Sequence, residues 1–378
     1  MTIILFWVCM AIVIYTYIGY GIVLYLLVLL KRLTTKAKPQ ADITDITLPE
    51  VTLMVCAYNE EDIVKDKIAN SRQLDYPKDK LHLMWVTDGS TDSTNSLLAE
   101  YPEVEVVFSP ERKGKANALK HGISKVKTEI VIMTDANTMI NPGAIKEIVR
   151  LMQDPHVGCV SGEKRVMAKS EDDNAAKGEG IYWKYESCLK RLDSELYSAM
   201  GAAGELCVIR RQLMTDIPDD TLLDDFIISM EIVKKGYRIA YTSDAYAMEY
   251  GSADMKEESK RKRRIAAGGI QSCWRLRSLM NPIKYPVAAF QFISHRVLRW
   301  TITPFCLFAL VPLNTIIVMS GAEAIYTIIW LLQITFYAVA AMGVRIPQYF
   351  VFMNINVFSG IQYLCNKTTG TWEKARRA

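Results

Sequence analysis

A chain of 378 residues, half of them hydrophobic, exceeds one average domain, and its net charge of +4 is too small to argue for a nucleic-acid partner. Its eight cysteines lie far apart, with no Cys-x-x-Cys pair and no histidine cluster. This sets aside a disulfide scaffold or a zinc site and predicts reduced, buried thiols in a cytoplasmic environment.

Ile3 to Leu30 carries no charged residue and ends at Lys31-Arg32, with Lys36 and Lys38 beyond. The run is long enough to cross a bilayer core of roughly 30 Å and lacks the basic start and small-residue cleavage site of a signal peptide. Residues 1–32 therefore read as an uncleaved anchor, with the following chain on the cytoplasmic side by the positive-inside tendency.

From Leu48 strands and helices alternate. Val51 to Ala57 is an apolar strand with a polar end at Tyr58-Asn59-Glu60-Glu61, followed by a helical pattern over Asp62 to Leu74. Leu81 to Thr87 is a second strand, ending in Asp88-Gly89-Ser90-Thr91-Asp92, where Ser90 or Asp92 caps the next helix. Val104 to Ser109 is a third. A helix opens at Lys113-Gly114-Lys115, and the strand from Ile130 ends in Asp135-Ala136-Asn137. This alternation predicts a parallel, doubly wound sheet whose ligands bind at the carboxyl ends of the strands.

Three of those strand ends are polar, and no Gly-x-Gly-x-x-Gly or Walker loop accompanies them. A nucleotide would then be held through carboxylates and a metal rather than a glycine cradle. Asp135 and Asn137, two apart, could face one hard cation; an ordinary Asp-Asn turn is the plainer alternative.

The runs Val-Cys-Ala-Tyr58-Asn-Glu60-Glu, Thr-Asp88-Gly-Ser-Thr-Asp, Arg-Lys113-Gly-Lys-Ala-Asn-Ala-Leu and Met-Thr-Asp135-Ala-Asn137-Thr resemble the membrane-bound branch of the family 2 glycosyltransferases, which includes cellulose, hyaluronan and poly-N-acetylglucosamine synthases. The resemblance covers roughly residues 48–275 and the tail. It implies an α/β GT-A fold with a doubly wound mixed sheet. It also implies a UDP-sugar donor, with Asp88 on the uracil, Tyr58 and Glu60 in the nucleoside pocket, Lys113 near the nucleotide, and Asp135 holding Mg²⁺ or Mn²⁺. The family's Asp-x-Asp is here Asp-x-Asn, so Asn137 brings an amide oxygen but no charge.

In the second half, Gly201-Ala-Ala-Gly204 has the small residues needed for close approach to a sugar, ahead of a short strand. Asp224-Asp225 opens a helix that ends at Lys234-Lys235-Gly236. First-turn acids favoured by the helix dipole are the plain account of the pair. The resemblance instead makes Asp225 the general base, with Asp224 beside it on the acceptor side. Trp183 and Glu186, in an aromatic and acidic helical segment, are further acceptor-side candidates, although such aromatics are commonly core. The basic run Lys260 to Arg264 suits a lipid-facing patch. By resemblance it also matches the family's Gln-x-x-Arg-Trp. That match puts Arg264 on the diphosphate, Arg261 in place of Gln and Ile265 in place of Trp.

The expected organisation is an anchor at 1–32, a cytoplasmic catalytic domain at 48–285, a membrane region at 286–366 and a basic tail at 367–378. Spans are expected at Val297 to Ser320, kinked at Pro304 and Pro312, and at Ala324 to Val344; 346–365 is a re-entrant or interfacial segment or a further span. Trp372 in the tail resembles a gating segment over bound UDP. These readings together describe an inverting, metal-dependent transferase in a bacterial-type plasma membrane, acting on a lipid-linked or glycan acceptor. A homo-oligomer or a synthase-complex partner is compatible with it. Processive polymer synthesis is the alternative, and a catalytically silent nucleotide-sugar-binding scaffold the alternative from another class.

Overall fold

The computed structural model describes residues 1–35, 48–167, 174–250 and 255–366; Trp372 and the tail lie outside them. Eight strands form one sheet: β1 (Val51–Ala57), β2 (Leu81–Asp88), β3 (Val104–Ser109), β4 (Ile130–Asp135), β5 (Met139–Ile140), β6 (Val157–Met167), β7 (Cys207–Arg210) and β8 (Arg238–Tyr250). Their order is β3-β2-β1-β4-β7-β6-β8-β5. The first four named run parallel, β7 lies antiparallel between β4 and β6, and β6 and β8 are parallel. The sheet is therefore mixed. Its parallel half was readable from the strand–helix alternation, whereas β6 and β8 complete it from the second half.

β1 is buried along its whole length because both faces are covered. Met54 and Cys56 pack with Ala116, Leu119, Phe226 and Ile227 on one side. Val51 and Leu53 pack with Ile145, Ile148 and Val149 on the other. Each such aliphatic side chain contributes about 1.5–3 kcal/mol on burial. A strand covered on both faces presents a continuous apolar run, and its polarity appears only where it emerges at the carboxyl end.

Among the described residues three helices are long and apolar enough to cross a membrane: Thr2–Thr34, Ile302–Met319 and Ala324–Ala341. The first carries a π-turn at Tyr15–Gly19. Its early half packs Phe6 and Cys9 on Cys306 and Leu310, and its later half packs Tyr20, Leu24 and Val28 on Leu189 and Leu192. Lys31 donates to the carbonyls of Glu195 and Leu196, and Arg32 pairs with Glu195, so the basic end of this helix is fixed to the catalytic part.

Several expectations are corrected here. Pro304 falls in the first turn of helix Ile302–Met319, where its missing N–H costs little, so only Pro312 lies inside. Across the expected boundary at 285, Ala288, Phe292 and Trp300 join the same cluster as Met54 and Ile227. Residues Arg345–Cys365 form one helix, whose Gly360 lies against Ala266 and Ala267 of helix Met255–Arg275. Cys188 and Cys365 are exposed, while the remaining cysteines are buried as expected.

Candidate active site

The three polar strand ends converge. Asp88, only 2 % exposed, accepts hydrogen bonds from the Lys113 and Gly114 amides at 2.9 and 2.7 Å. This carboxylate thus closes the loop that leads into helix Lys115–Lys125. Gly89 turns the chain there with φ +66°, and a Cβ at this position would lie 2.6 Å from the Arg112 nitrogen. Arg112 lies over the Tyr58 ring, its guanidinium carbon 3.8 Å from the centroid. Glu60 is buried beside them, and its amide donates to Thr94 Oγ1.

At the end of β4, Asp135 Oδ1 accepts a 2.6 Å hydrogen bond from Lys115 Nζ. The same ammonium lies 3.8 Å from Asp224 Oδ2. Lys113, the lysine expected near the nucleotide, instead pairs with Glu111 at the surface. Lys115 rather than Lys113 opens the helix that follows the Asp88-held loop, and that helix start turns it inward. Burial pushes the Lys115 ammonium towards neutrality, but Asp135, Asp224 and Asp225 outweigh it and hold its pKa well above the usual lysine range.

Asp224 and Asp225 open helix Asp224–Lys234, and Asp225 Oδ1 accepts the Phe226 amide at 2.8 Å, as a first-turn acid does. Its second oxygen is turned toward Gly204: a Cβ there would lie 3.2 Å from Asp225 Oδ2 and 3.4 Å from Lys115 Nζ. Burial, then the neighbouring Asp224 charge, push Asp225 up to about 7, with Lys115 opposing. A carboxyl that titrates near neutrality and borders a small pocket has the acidity of a general base. The loop before it is pinned by Gln271, which bonds the Leu222 amide and the Asp220 carbonyl, and by Arg275, which holds Asp220 and Thr221. Sequence reasoning missed both; they lie in the helix that carries the basic run.

Arg264 is half-exposed on that helix, one turn before Gly268, which packs on Leu222 and Leu223 ahead of Asp224. Asn137 is half-exposed just beyond Asp135. Among the described residues no group of three His, Cys, Asp or Glu side chains could hold a metal unaided. The donor set at this edge, one carboxylate and one amide oxygen, fits a hard cation whose remaining ligands are water and phosphate oxygens.

Two further candidates, Trp183 and Glu186, lie in helix Asn174–Leu196 among cations. Glu186, 1 % exposed, is enclosed by His295, Arg296 at 2.6 Å and Arg299 at 3.0 Å, so it is a structural counter-ion rather than an open acceptor contact. Trp183 is ringed by the ammonium groups of Lys164, Lys190 and Lys262, 5.0, 5.9 and 5.9 Å from its ring.

The model of the family described as "glycosyltransferase like family 2" matches residues 49–268, more than half of the chain. The chain belongs to glycosyltransferase family 2. Its curated relatives include poly-beta-1,6-N-acetyl-D-glucosamine synthase of Staphylococcus aureus strain MSSA476, 26 % identical over 278 residues, covering 71 % of this chain and 66 % of the relative. The namesake from Staphylococcus epidermidis is 26 % identical over 199 residues, covering 50 % of this chain and 47 % of the relative. The chain thus spans between about half and just under two thirds of the length of these relatives. Among solved structures, the mannosyltransferase PcManGT from Pyrobaculum calidifontis in complex with GDP-Man and Mn²⁺ superposes with a TM-score of 0.75 at 24 % identity, over 96 % of this chain and all of that one. This likeness establishes the GT-A fold. In this family 2 glycosyltransferase, Lys115 and Asp135 from the parallel half and Gly204, Asp224 and Asp225 from the second half line one small pocket.

Proposed function

We propose that this glycosyltransferase moves a sugar from a UDP-sugar, with inversion and with Mg²⁺ or Mn²⁺, to a hydroxyl of a lipid-linked or polysaccharide acceptor at a bacterial-type plasma membrane. The observation that carries the reading is the position of Lys115, its ammonium shared by Asp135 and Asp224 beside the Asp225 carboxyl. Lys115 and Asp225 line one pocket, which supports reading them as a charge stabiliser and a base. The GDP-Man and Mn²⁺ named with PcManGT support a nucleotide-diphosphate donor and a divalent cation.

In the proposed step the acceptor oxygen attacks the anomeric carbon from the Asp225 side and its proton passes to Asp225. The bond from that carbon to the diphosphate oxygen breaks, and the electron pair leaves with UDP. Lys115 and Arg264 offset the charge that develops on the leaving oxygen, an effect worth several kcal/mol in a site shielded from water. Asp135 and Asn137 would hold the cation, whose contribution is Lewis-acid neutralisation of the diphosphate. Asp88 and the Tyr58–Arg112 pair shape the nucleoside side, and Gly204 leaves room for the sugar.

Processive polymer synthesis is the second reading, supported by the curated relatives' names. Limited transfer is the reading we keep first, with three apolar helices among the described residues long enough to cross a membrane. The test is UDP release by detergent-purified protein across a panel of UDP-sugars and acceptors. Release with one sugar, abolished by EDTA and restored by Mg²⁺ or Mn²⁺, supports the reading; unaltered release in EDTA refutes the metal role. A long polymer product would replace limited transfer by processive synthesis.

A further inference from the structure

The turn between β4 and β5, which carries Asp135 and Asn137, is gripped from behind by helix Val64–Arg72. Lys67 and Asn70, three residues apart, share the helix face that meets it. Lys67 Nζ donates to the Thr138 carbonyl and, at 3.2 Å, to Thr134 Oγ1. Asn70 donates from Nδ2 to the Ile140 carbonyl and accepts the Ile140 amide at Oδ1, both at 2.9 Å. These contacts bracket the stretch that holds Asp135 and Asn137.

Lys67 is wholly buried, a rare setting for a lysine. Its hydrogen-bond partners among the described residues are a hydroxyl and a carbonyl, while the nearby Asp135 carboxylate acts on it without a hydrogen bond. The hydroxyl protons give this network a direction. The Glu205 carbonyl can only accept, and Thr134 Oγ1 donates to it at 2.8 Å. With its one proton committed there, Thr134 Oγ1 receives from Lys67 Nζ and from Thr138 Oγ1, the latter at 2.9 Å. Thr138 shares its own proton with the Asp135 carbonyl, also at 2.9 Å. Glu205 follows Gly204, which lines the small pocket with Asp135 and Asp225. Lys67 therefore reaches two parts of that pocket wall, the β4–β5 turn directly and the sugar-side loop through one hydroxyl.

We propose that Lys67 is a positioning residue of the cation site, fixing the turn that carries Asp135 and Asn137 and joining it through Thr134 to the Gly204–Glu205 loop. The inference rests on the transferase reading for the cation, but not for the clamp itself. Asn137 is half-exposed, and the backbone of this turn sets where its amide oxygen goes. Without Lys67 the Thr138 carbonyl and Thr134 Oγ1 each lose a donor, and the turn is free to carry both oxygen ligands out of register.

The experiment compares the full chain in detergent with Lys67→Met, Thr134→Val, the double variant and, as a control, Lys65→Met on the exposed side of the same helix. Hydrogen exchange read by mass spectrometry, without nucleotide or metal, should be faster over residues 133–141 in Lys67→Met and unchanged in Lys65→Met. Calorimetric titration of Mn²⁺ into UDP-saturated protein should show affinity about tenfold or more weaker in Lys67→Met, the usual effect of losing a residue that orients metal ligands. Metal-free UDP affinity should be unchanged, which certifies folding. The same loss in Thr134→Val, with no further loss in the double variant, is the expected sign of one network. Additive losses, or parental exchange in Lys67→Met, would overturn the proposal. Should Lys67→Met lose UDP binding as well, Thr134→Val decides, and full Mn²⁺ affinity in it overturns the proposal. A parent that binds no Mn²⁺ alongside UDP would count against the metal in the transferase reading, and the exchange result would then decide the clamp. Mn²⁺ binding by the parent that Lys67→Met leaves intact would count against this proposal alone.

Discussion

Lys115 Nζ donates a 2.6 Å hydrogen bond to Asp135 Oδ1, so the strand-end carboxylate at the centre of the nucleotide edge already has a fixed counter-charge. That ammonium also lies 3.8 Å from Asp224, which links helix Lys115–Lys125 electrostatically to helix Asp224–Lys234. Lys115→Met is expected to lower kcat by about 10²–10³, the usual effect of deleting one preorganised charge-stabilising donor. Lys113→Met removes an exposed pair with Glu111 and should change folding stability by only about 0–1 kcal/mol. Steady-state UDP release by the two variants separates these roles. An Lys115→Met enzyme as fast as the parent would remove Lys115 from the mechanism.

Asp225 titrates near 7 because burial and then Asp224 disfavour its anion. The base must be ionised, so kcat/KM should fall about tenfold per pH unit below about 7. Asp224→Asn removes the like charge and should move that limb to lower pH. Asp225→Asn should abolish transfer and leave UDP binding intact; loss of UDP binding with it would make Asp225 structural.

The same shift has a signed effect on stability. The folded-state pKa of Asp225 is raised above 3.8, so its stabilising contribution is complete below about 3.8 and is lost as pH rises through about 7. Asp225→Asn should therefore unfold at a higher temperature than the parent at pH 8, with the difference disappearing near pH 4. Thermal melts at the two pH values measure this, and a variant less stable than the parent at pH 8 would contradict it.

Gly89→Ala should weaken UDP binding, because its φ of +66° and the 2.6 Å approach to Arg112 allow no Cβ. Left-handed strain costs of order 1–3 kcal/mol. It acts on the loop whose Lys113 and Gly114 amides Asp88 holds. Calorimetry with UDP should show a weaker Kd with little change in the metal requirement. Unchanged affinity would show that this loop does not carry the nucleotide.

Lys164→Met removes the common counter-ion of Glu205 and Glu249, both of which face it inside the second half of the sheet. Breaking a buried pair in this way costs about 3–5 kcal/mol. The melting temperature should fall by more than for Lys146→Met, which loses an exposed partner, Asp75. Similar losses for the two would mean that the buried series contributes nothing special.

The parallel half was legible because β1, β2 and β4 alternate with helices and end in Asp or Asn. Those features are local, and the sheet converts them directly into a shared edge. β6 and β8 were not, since their residues mix buried and exposed positions through a register shift near Ser161 and Glu163. Asp225 was singled out by resemblance, and its setting beside Gly204 follows from the fold. Lys113 and Lys115 are alike as letters, and only the helix start decides which one turns inward. Glu186 read as an acceptor contact because its partners His295, Arg296 and Arg299 lie more than a hundred positions later. No local pattern announces a pairing at that separation.

The enclosure of Glu186 bears on how this chain can be divided. Cutting after Tyr250 would yield a piece with every parallel strand and both Asp135 and Asp225, yet Glu186 would lose His295, Arg296 and Arg299 together, and Glu249 would lose Arg261. Such a fragment would keep Lys164 beside Glu249 but leave Glu186 without His295, Arg296 and Arg299, and removing the partners of a buried anion is strongly destabilising. The segment from Arg261 to Arg299, which lies outside the three apolar helices, therefore supplies part of the interior of the catalytic half, and a cut placed before it discards that interior.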